Sequence, residues 1–237
     1  MEENKVTYRN VMHCENCNDS GILFPVRNDR DTVYQQCHYC DCHQQRVTLM
    51  HLQKSGMLES INSMTFESFN ATADWQKRMK DVCEKFIKQK DYRFLFIGGQ
   101  PGSGKTHLGT AVCGHYIRQS IPTRYISFHQ LMNTFKANIN EEEYQKVLND
   151  YSGTDVLYID DFMKFPPSQA DIKHSFVLID MRAARHNYTI ITSERMLDEI
   201  TEIDEALGSR IKYRCGSFVL NIARKPDRNH RMNEDEI

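Results

Sequence analysis

The 237-residue chain has a formal net charge of −2 and 26% charged residues, which excludes a polycation, so any contact with nucleic acid must come from a local basic patch. No run of apolar residues approaches the roughly 18 to 20 that span a bilayer, and the polar start MEENKVTYRN lacks the apolar core of a signal peptide. We therefore expect a cytoplasmic protein without a membrane contact, with room for one full domain and a small accessory module.

The composition divides the chain into three parts. Residues 1–45 are rich in Cys and His and poor in aliphatic side chains, so this part needs a metal or another staple in order to fold. Residues 46–70 form a polar connector with a short helical stretch that breaks near Gly56. Residues 71–237 alternate strand-like and helix-like patterns, which indicates an α/β domain with a parallel sheet.

This α/β domain is predicted to hold strands separated by helices. The strands are predicted at residues 93–97, 124–128, 156–159, 188–192 and 217–222. The helices are predicted at residues 72–88, 105–119, 129–150, 168–186 and 195–207, with Ser168 as an N-cap. We interpret the scattered Cys83, Cys113 and Cys215 as small buried side chains.

The remaining five cysteines crowd the first 42 residues, and a reducing cytoplasm argues against a disulfide framework. The pairs Cys14-x-x-Cys17 and Cys37-x-x-Cys40 are separated by nineteen residues, which fits the four-cysteine zinc pattern. We therefore predict a Zn²⁺ site made by these four cysteines, with His38 and His43 as outside candidates. Free cysteines in a disordered arm are the alternative.

A glycine-rich loop follows the first predicted strand. Its sequence fits G-x-x-x-x-G-K-[ST] in the strand–loop–helix context that phosphate binding requires. Glycine permits the positive φ angles that let backbone amides surround a phosphate. Lys105 supplies a charge for the β- and γ-phosphates, and the Thr106 hydroxyl ligates Mg²⁺. The residues of this loop that we predict to bind the nucleotide are Gly99, Gln100, Pro101, Gly102, Ser103, Gly104, Lys105, Thr106 and His107.

Two adjacent carboxylates, Asp160 and Asp161, end the third predicted strand. A nucleotide at the loop needs a carboxylate from another strand end beside its Mg²⁺, and we assign that role to Asp160. Asp161 comes one residue later, where a base orients the attacking water, although its side chain is short for this task. A solvated turn or a helix cap is the alternative for both acids.

The order of these motifs resembles a known family. The segments that carry the likeness are FESFNATADWQKRMKDVCEKFI, GGQPGSGKTHLGTAV, VLYIDDF, TIITSERMLDEI and DEALGSRIKYRC. Together they resemble the AAA+ ATPases of the DnaC/DnaI type, the bacterial replicative-helicase loaders, especially the versions carried by prophages of Gram-positive bacteria. ATPases of the IstB type are close relatives. The likeness covers residues 65–231 and the Cys-rich start.

The resemblance implies a RecA-like AAA+ core with a five-stranded parallel sheet in the order 5-1-4-3-2, and hydrolysis of ATP with Mg²⁺. It implies a hexameric replicative DNA helicase and single-stranded DNA as partners, and a homo-oligomer on the helicase. Since few residues follow the fifth predicted strand, we expect no full helical lid.

The Cys-rich start resembles the zinc module with which such loaders dock on the helicase. Those modules often close with Cys-x-Cys, which makes Cys42 a rival of Cys37 for the fourth zinc ligand. A zinc module of this size instead binds single-stranded nucleic acid in some proteins.

The resemblance also carries over single residues. Arg210 matches the arginine finger, which reaches the γ-phosphate of a neighbouring subunit; a surface ion pair is the alternative. Asn229 or Arg231 matches the C-terminal nucleotide-sensing segment weakly, and a frayed tail is the alternative.

Two positions depart from the pattern of the family. Glu194 stands where many members have Asn, and Asp161 stands where most have Glu. We hypothesise that Glu194, alone or with Asp161, positions the water, because their strand ends are neighbours across the nucleotide crevice. In the alternative, Glu194 faces solvent or caps the next helix.

Three functions are therefore compared. The first is an ATPase that loads a helicase onto DNA, and the second is a non-hydrolysing adaptor in which ATP is a structural ligand. The third is an IstB-type transposition helper, which typically lacks the leading zinc module. Residues 208–231 hold seven basic residues and one acid, which either contact DNA phosphates or form a solvated face.

Overall fold

The computed structural model describes residues 14–18, 20–23, 37–40, 42–54, 56–137 and 140–229. The predicted sensing residue Arg231 lies outside these described residues. In the Cys-rich part, β1 (Ile22–Leu23) and β2 (His38–Tyr39) form a two-stranded antiparallel sheet.

The α/β domain contains the predicted five-stranded parallel sheet. Its strands are β3 (Phe94–Gly99), β4 (Thr123–Ser127), β5 (Val156–Asp160), β6 (Tyr188–Ser193) and β7 (Val219–Ile222). They lie in the order β4-β5-β6-β3-β7, with parallel pairing throughout. Read from the other edge, this is the expected order 5-1-4-3-2. β3 and β5 are buried along their whole length, because helices cover both faces of the sheet.

The helices differ from the prediction in number. They are α1 (His43–Lys54), α2 (Met57–Ser63), α3 (Asp74–Lys88), α4 (Lys105–Arg118), α5 (Phe128–Ala137), α6 (Glu141–Gly153), α7 (Gln169–Ala184), α8 (Leu197–Ile203) and α9 (Glu205–Cys215), followed by a 3₁₀ turn (Pro226–Arg228). The single helices predicted at 129–150 and 195–207 are wrong, since each is a pair.

Capping side chains explain these two breaks. The Asn140 side chain accepts a hydrogen bond from the amide of Glu143 at 2.8 Å, and Asp204 accepts one from the amide of Leu207 at 2.7 Å. Each cap starts a new helix. The predicted N-cap Ser168 is confirmed, because its hydroxyl accepts from the amide of Asp171 at 3.2 Å.

Two apolar cores lie on opposite faces of the sheet. Alternate residues of β3 belong to different cores, as strand geometry requires: Leu95 packs in the core under α1 to α4, and Phe96 packs in the core under α5 to α9. The scattered cysteines Cys83, Cys113 and Cys215 are all buried, as predicted. No helix within the described ranges has the length and apolarity needed to cross a membrane.

The predicted connector packs on the domain. Leu52 of α1 and Ile61 of α2 are buried in the first core, and the Thr48 hydroxyl accepts a hydrogen bond from the amide of Thr123 at the start of β4, at 3.3 Å. α1 and α2 are separated at Gly56, which has a φ angle of 69°. The connector therefore attaches the Cys-rich part to an edge strand of the sheet.

Candidate nucleotide-binding site and candidate metal centre

The glycine-rich loop joins the end of β3 to the start of α4. Gly99, Gly102 and Gly104 have φ angles of 122°, 74° and 87°, which residues with a side chain rarely adopt. A Cβ atom on Gly99 would also collide with the carbonyl group of Ile222 in β7. The loop therefore curls at the N-terminus of α4, where backbone amides and the helix dipole favour an anion.

The cation of this loop is buried within it. Lys105 is 7% exposed, and its ammonium group donates a hydrogen bond to the carbonyl oxygen of Gln100 at 2.7 Å. The Ser103 hydroxyl donates to the same carbonyl at 2.8 Å. A cation held inside a loop of this shape fits the phosphates of a nucleotide.

The carboxylate of Asp160 collects hydrogen bonds from several elements. Its Oδ1 accepts from the Thr106 hydroxyl at 3.4 Å, from the amide of Asp161 at 3.0 Å and from the Thr192 hydroxyl. Its Oδ2 accepts from the Tyr125 hydroxyl at 3.3 Å. Burial, together with the charge of Asp160, raises the pKa of Tyr125, so this hydroxyl remains a donor. Thr106 and Asp160 therefore lie together as hard oxygen ligands of the kind that Mg²⁺ takes.

The two departures from the family pattern meet at one lysine. The Lys164 ammonium lies 3.2 Å from Oδ2 of Asp161 and 2.9 Å from Oε1 of Glu194. Asp161 has a φ angle of 54°, which turns the chain sharply at the end of β5. Glu194 does not cap the next helix, because Glu199 accepts the hydrogen bond from the amide of Met196 there, at 2.6 Å.

Arg210 lies on α9, in the helical layer on the opposite face of the sheet from α4. Its guanidinium group forms an ion pair with Asp180 of α7 and lies 4.4 Å from the ring centre of Phe176. The ion pair that was the alternative for this residue is thus present within the chain.

The segment before α3 contacts the nucleotide loop. The His107 ring nitrogen Nε2 lies 2.8 Å from the carbonyl of Thr65 and 3.3 Å from the Ser68 hydroxyl. Phe69 packs edge-on against the same ring, 5.2 Å between centres, and lies against Gly104. His107 therefore holds this segment to the start of α4.

The C-terminal segment reaches the loop from the other side. The amide of Lys225 donates to the side-chain oxygen of Gln100 at 2.6 Å, and the Asn229 side chain lies against Gly102. A cleft of about 410 Å³ lies between these residues and Pro101. Asn229 is thus beside the loop, as its expected sensing role requires.

Four thiols come together in the Cys-rich part. The Sγ atoms of Cys14, Cys17, Cys40 and Cys42 all lie within 4.8 Å of one another. Cys14 and Cys40 are 3.6 Å apart, and Cys17 and Cys42 are 3.4 Å apart. Four sulfur atoms at about 2.3 Å from a tetrahedral zinc ion are about 3.8 Å apart, so this group fits Zn²⁺.

The prediction that Cys37 completes this group is wrong. Cys37 is exposed and precedes β2, whereas Cys42 is 8% exposed and begins the first turn of α1. The physical reason is that the chain reverses after β2: the amide of Cys40 binds the carbonyl of Gly21 at 2.9 Å, and the amide of His43 binds that of Cys40 at 2.8 Å. The reversal brings Cys42 back to Cys17.

The surroundings of the cluster favour one thiolate: the pKa of Cys17 is lowered, whereas the pKa values of Cys40 and Cys42 are raised. Burial opposes ionisation of Cys17, but hydrogen bonds from the amide of Gly21 and from neighbouring thiols outweigh it and lower the pKa to about 6. The Arg46 guanidinium donates to Sγ of Cys42 at 3.3 Å. His43 stacks on Tyr39 at 4.0 Å and is not part of the sulfur group.

Four residues contact the candidate nucleotide site although the sequence analysis assigned no role to them: Phe69, Tyr125, Lys164 and Thr192. Thr192 ends the predicted strand at 188–192, and ligands of open parallel sheets bind at such strand ends, so this position was the available signal. Tyr125 lies in the middle of its strand and had no such signal. Phe69 lies in a segment that carries the family likeness, and Lys164 had no signal in the sequence; the contacts of both depend on how a loop closes.

The curled loop, the parallel sheet and the Thr106–Asp160 pair define an ATP-binding protein with an AAA+ core. The family model of IstB-like ATP binding proteins matches residues 33–215. The chain belongs to this family.

Relatives and solved structures agree with this assignment. YqaM of Bacillus subtilis (strain 168) is 31% identical over 225 residues, and the match covers 87% of this chain and 69% of YqaM. The phage-like element PBSX protein XkdC of the same strain is 28% identical over 234 residues, and the match covers 92% of this chain and 86% of XkdC. The DnaC helicase loader matches with a TM-score of 0.59 and 20% identity, over 70% of this chain and 98% of that one. The AMPPCP-bound DnaA from Aquifex aeolicus matches with a TM-score of 0.60 and 19% identity over 71% of this chain, which spans about half (52%) of that DnaA.

Proposed function

We propose that this protein loads a hexameric replicative DNA helicase onto single-stranded DNA and hydrolyses ATP at an interface between two of its own copies. The observation that carries this proposal is the separation of Arg210 from the other residues of the candidate site. Lys105, Thr106 and Asp160 lie together at the carboxyl edge of the sheet, whereas Arg210 lies in the helical layer on the other face. A neighbouring copy supplies that arginine most simply.

The binding role falls to the loop and the Asp160 carboxylate. The loop amides and Lys105 bind the phosphates, and the Thr106 hydroxyl and Asp160 hold Mg²⁺, which neutralises phosphate charge when bound. Tyr125 and Thr192 hold the Asp160 carboxylate in place through their hydrogen bonds. Asp161 and Glu194 orient the attacking water.

The zinc cluster serves docking in this proposal. The sulfur group, β1, β2 and α1 form a unit that is attached to the edge strand β4 through Thr48. The exposed side chain of Tyr39, at 71%, gives this unit an aromatic contact surface. We assign it to the helicase.

DNA contact is assigned to the exposed end of α9. Tyr213 is 76% exposed, Lys212 is its neighbour, and the Arg214 guanidinium lies 5.5 Å from its ring centre. Exposed aromatic and cationic side chains together bind single-stranded nucleic acid by stacking and phosphate contact.

Single-turnover ATP hydrolysis, measured with and without the replicative helicase and single-stranded DNA, tests the proposal. We expect slow turnover that both partners accelerate, and none in the Lys105→Ala variant. A pull-down with the helicase tests docking. We expect the intact protein to retain the helicase and the Cys14→Ser/Cys17→Ser variant to lose it, with the zinc content of both proteins measured alongside. Lack of helicase binding by the zinc-loaded protein contradicts the loader function.

A non-hydrolysing adaptor is the second candidate. It is favoured by the observation that both acids available to orient water are engaged by Lys164. This candidate predicts nucleotide-dependent helicase binding without any turnover under the same conditions.

A further inference from the structure

We propose that Lys164 is a positioning residue for ATP hydrolysis, which holds Asp161 and Glu194 in the orientation in which they bind the attacking water. This inference rests on the proposed hydrolysis and adds a residue that no motif marks. The side chain of Lys164 forms its ion pairs with these two carboxylates, and it acts through them.

The contacts use one oxygen of each acid. Lys164 binds Oδ2 of Asp161 and Oε1 of Glu194. Within the described part of the chain, no hydrogen bond is made by the second oxygen of either carboxylate. Each acid therefore keeps a free acceptor for water while its side chain is held by the ammonium group.

The loop that carries Lys164 is anchored to the end of β6. The amide of Phe162 donates to the carbonyl of Thr192 at 2.8 Å, and the Ser193 hydroxyl donates to the carbonyl of Phe162 at 2.6 Å. The Arg195 guanidinium donates to the carbonyl of Met163 at 2.8 Å. The ion pairs therefore join two backbone segments that are already fixed relative to each other.

Backbone strain points to a constrained geometry. Asp161 and Met163 have φ angles of 54° and 51°, a region that methionine rarely occupies and that is retained mainly where surrounding structure enforces it. The amide of Lys164 donates to the carbonyl of Asp161 at 3.1 Å and closes this tight turn. The turn directs the lysine back toward the acid that precedes it by three residues.

Lys164 offsets the repulsion between neighbouring carboxylates. Asp160, Asp161 and Glu194 place three carboxylates at adjoining strand ends, and like charges at short range repel. Across the residues that the structure describes, Lys164 is the cation that forms ion pairs with Asp161 and Glu194. The nearby Arg195 uses its Nε on a backbone carbonyl, and Lys105 binds Gln100.

The ion pairs are partly exposed, with 34% exposure for the Lys164 side chain and 28% for that of Glu194. Pairs of this kind contribute little to folding stability. Loss of Lys164 is therefore expected to change turnover and to leave folding and ATP binding almost unchanged.

The test compares Lys164→Met and Lys164→Arg with the control Lys85→Met, whose ion pair with Asp81 is an exposed one on α3. With helicase and single-stranded DNA present, we expect Lys164→Met to lower single-turnover hydrolysis about 10- to 100-fold, with ATP affinity and the denaturation midpoint unchanged. Lys164→Arg should retain more turnover than Lys164→Met, and Lys85→Met should equal the wild type.

A double-mutant comparison separates positioning from a general structural effect. In the Asp161→Asn/Glu194→Gln background, Lys164→Met should cause little further loss, because its effect passes through those acids. Equal turnover in Lys164→Met and the wild type, or an undiminished loss in the double-variant background, overturns the inference while hydrolysis stands. Absence of wild-type turnover in every mixture overturns the proposed hydrolysis and this inference together.

Discussion

The hydroxyl group of Thr192 donates a hydrogen bond to the carboxylate of Asp160, and so joins the ends of β6 and β5. Thr192 is 1% exposed, and its hydroxyl also lies 3.3 Å from that of Tyr158. The interaction fixes the carboxylate that we assign to Mg²⁺ before any ligand arrives.

Thr192→Val removes this donor at nearly constant volume. We expect a loss of about 1 to 2 kcal/mol in the free energy of unfolding, because a buried acceptor loses one partner, and a weaker dependence of nucleotide affinity on Mg²⁺. Urea unfolding and nucleotide titrations at several Mg²⁺ concentrations measure both effects. The control is Thr110→Val on α4, because the buried hydroxyl of Thr110 has no hydrogen-bond partner in the described part of the chain. If Thr110→Val lost as much stability as Thr192→Val, the hydrogen bond to Asp160 would not explain the effect.

The four-thiol group, which we propose to bind zinc, predicts opposite outcomes for two nearby cysteines. Cys42→Ser should lose its bound zinc and weaken helicase docking, because the sulfur group loses one of four ligands. Cys37→Ser should keep about one zinc per chain, since its thiol is exposed and outside the group. Elemental analysis of the purified variants decides, and zinc loss in Cys37→Ser alone would contradict the ligand set.

Replacement of Arg182 is expected to lower the stability of the fold strongly. It is 0% exposed, and it donates to the carbonyls of Tyr151 at 2.7 Å and Thr154 at 2.9 Å, as well as to that of Tyr188. Burial lowers its pKa to about 9, so it remains a cation at neutral pH.

We expect Arg182→Met to reduce the free energy of unfolding by about 3 kcal/mol, since several buried carbonyls lose their donor together. The matched control is Arg185→Met at the C-cap of the same helix, an exposed residue whose guanidinium donates to the Ser152 hydroxyl at 2.7 Å. Its loss should cost less than about 1 kcal/mol. Chemical denaturation of both variants measures the difference, and equal midpoints would show that Arg182 is not a structural staple.

Arg210 predicts complementation between copies. Arg210→Ala should bind ATP with nearly wild-type affinity but hydrolyse it poorly, because in the proposed function its guanidinium acts on the nucleotide of a neighbouring copy. Mixing Arg210→Ala with Lys105→Ala should restore part of the turnover, since a mixed interface combines an intact loop with an intact arginine.

The control for Arg210 is Lys212→Ala, an exposed cation two positions further along α9. This variant should hydrolyse ATP like the wild type when neither helicase nor DNA is added. Wild-type turnover in Arg210→Ala alone contradicts an action of this arginine on a neighbouring copy and leaves it with its contacts to Asp180 and Phe176 within the chain. Failure of the mixture to regain turnover contradicts it as well.

Much of the nucleotide site was predictable because its residues are consecutive. The loop from Gly99 to Thr106 and the acid Asp160 each follow a buried strand directly, and parallel strands bring such ends to one edge. The helices were less predictable: no proline or glycine interrupts residues 129–150 or 195–207, whereas the capping hydrogen bonds of Asn140 and Asp204 end one helix and start another.

The sequence by itself determined the class of this protein, the position of the glycine-rich loop and the order of the strands, because local chemistry and a resemblance in motif order carry that information. Tertiary structure alone decided that Cys42 rather than Cys37 joins the sulfur group and that Lys164 joins Asp161 to Glu194. The reason is that both outcomes depend on a chain reversal of a few residues. Such a turn sets the direction of a side chain through backbone angles and hydrogen bonds, and spacing in the sequence does not encode that direction.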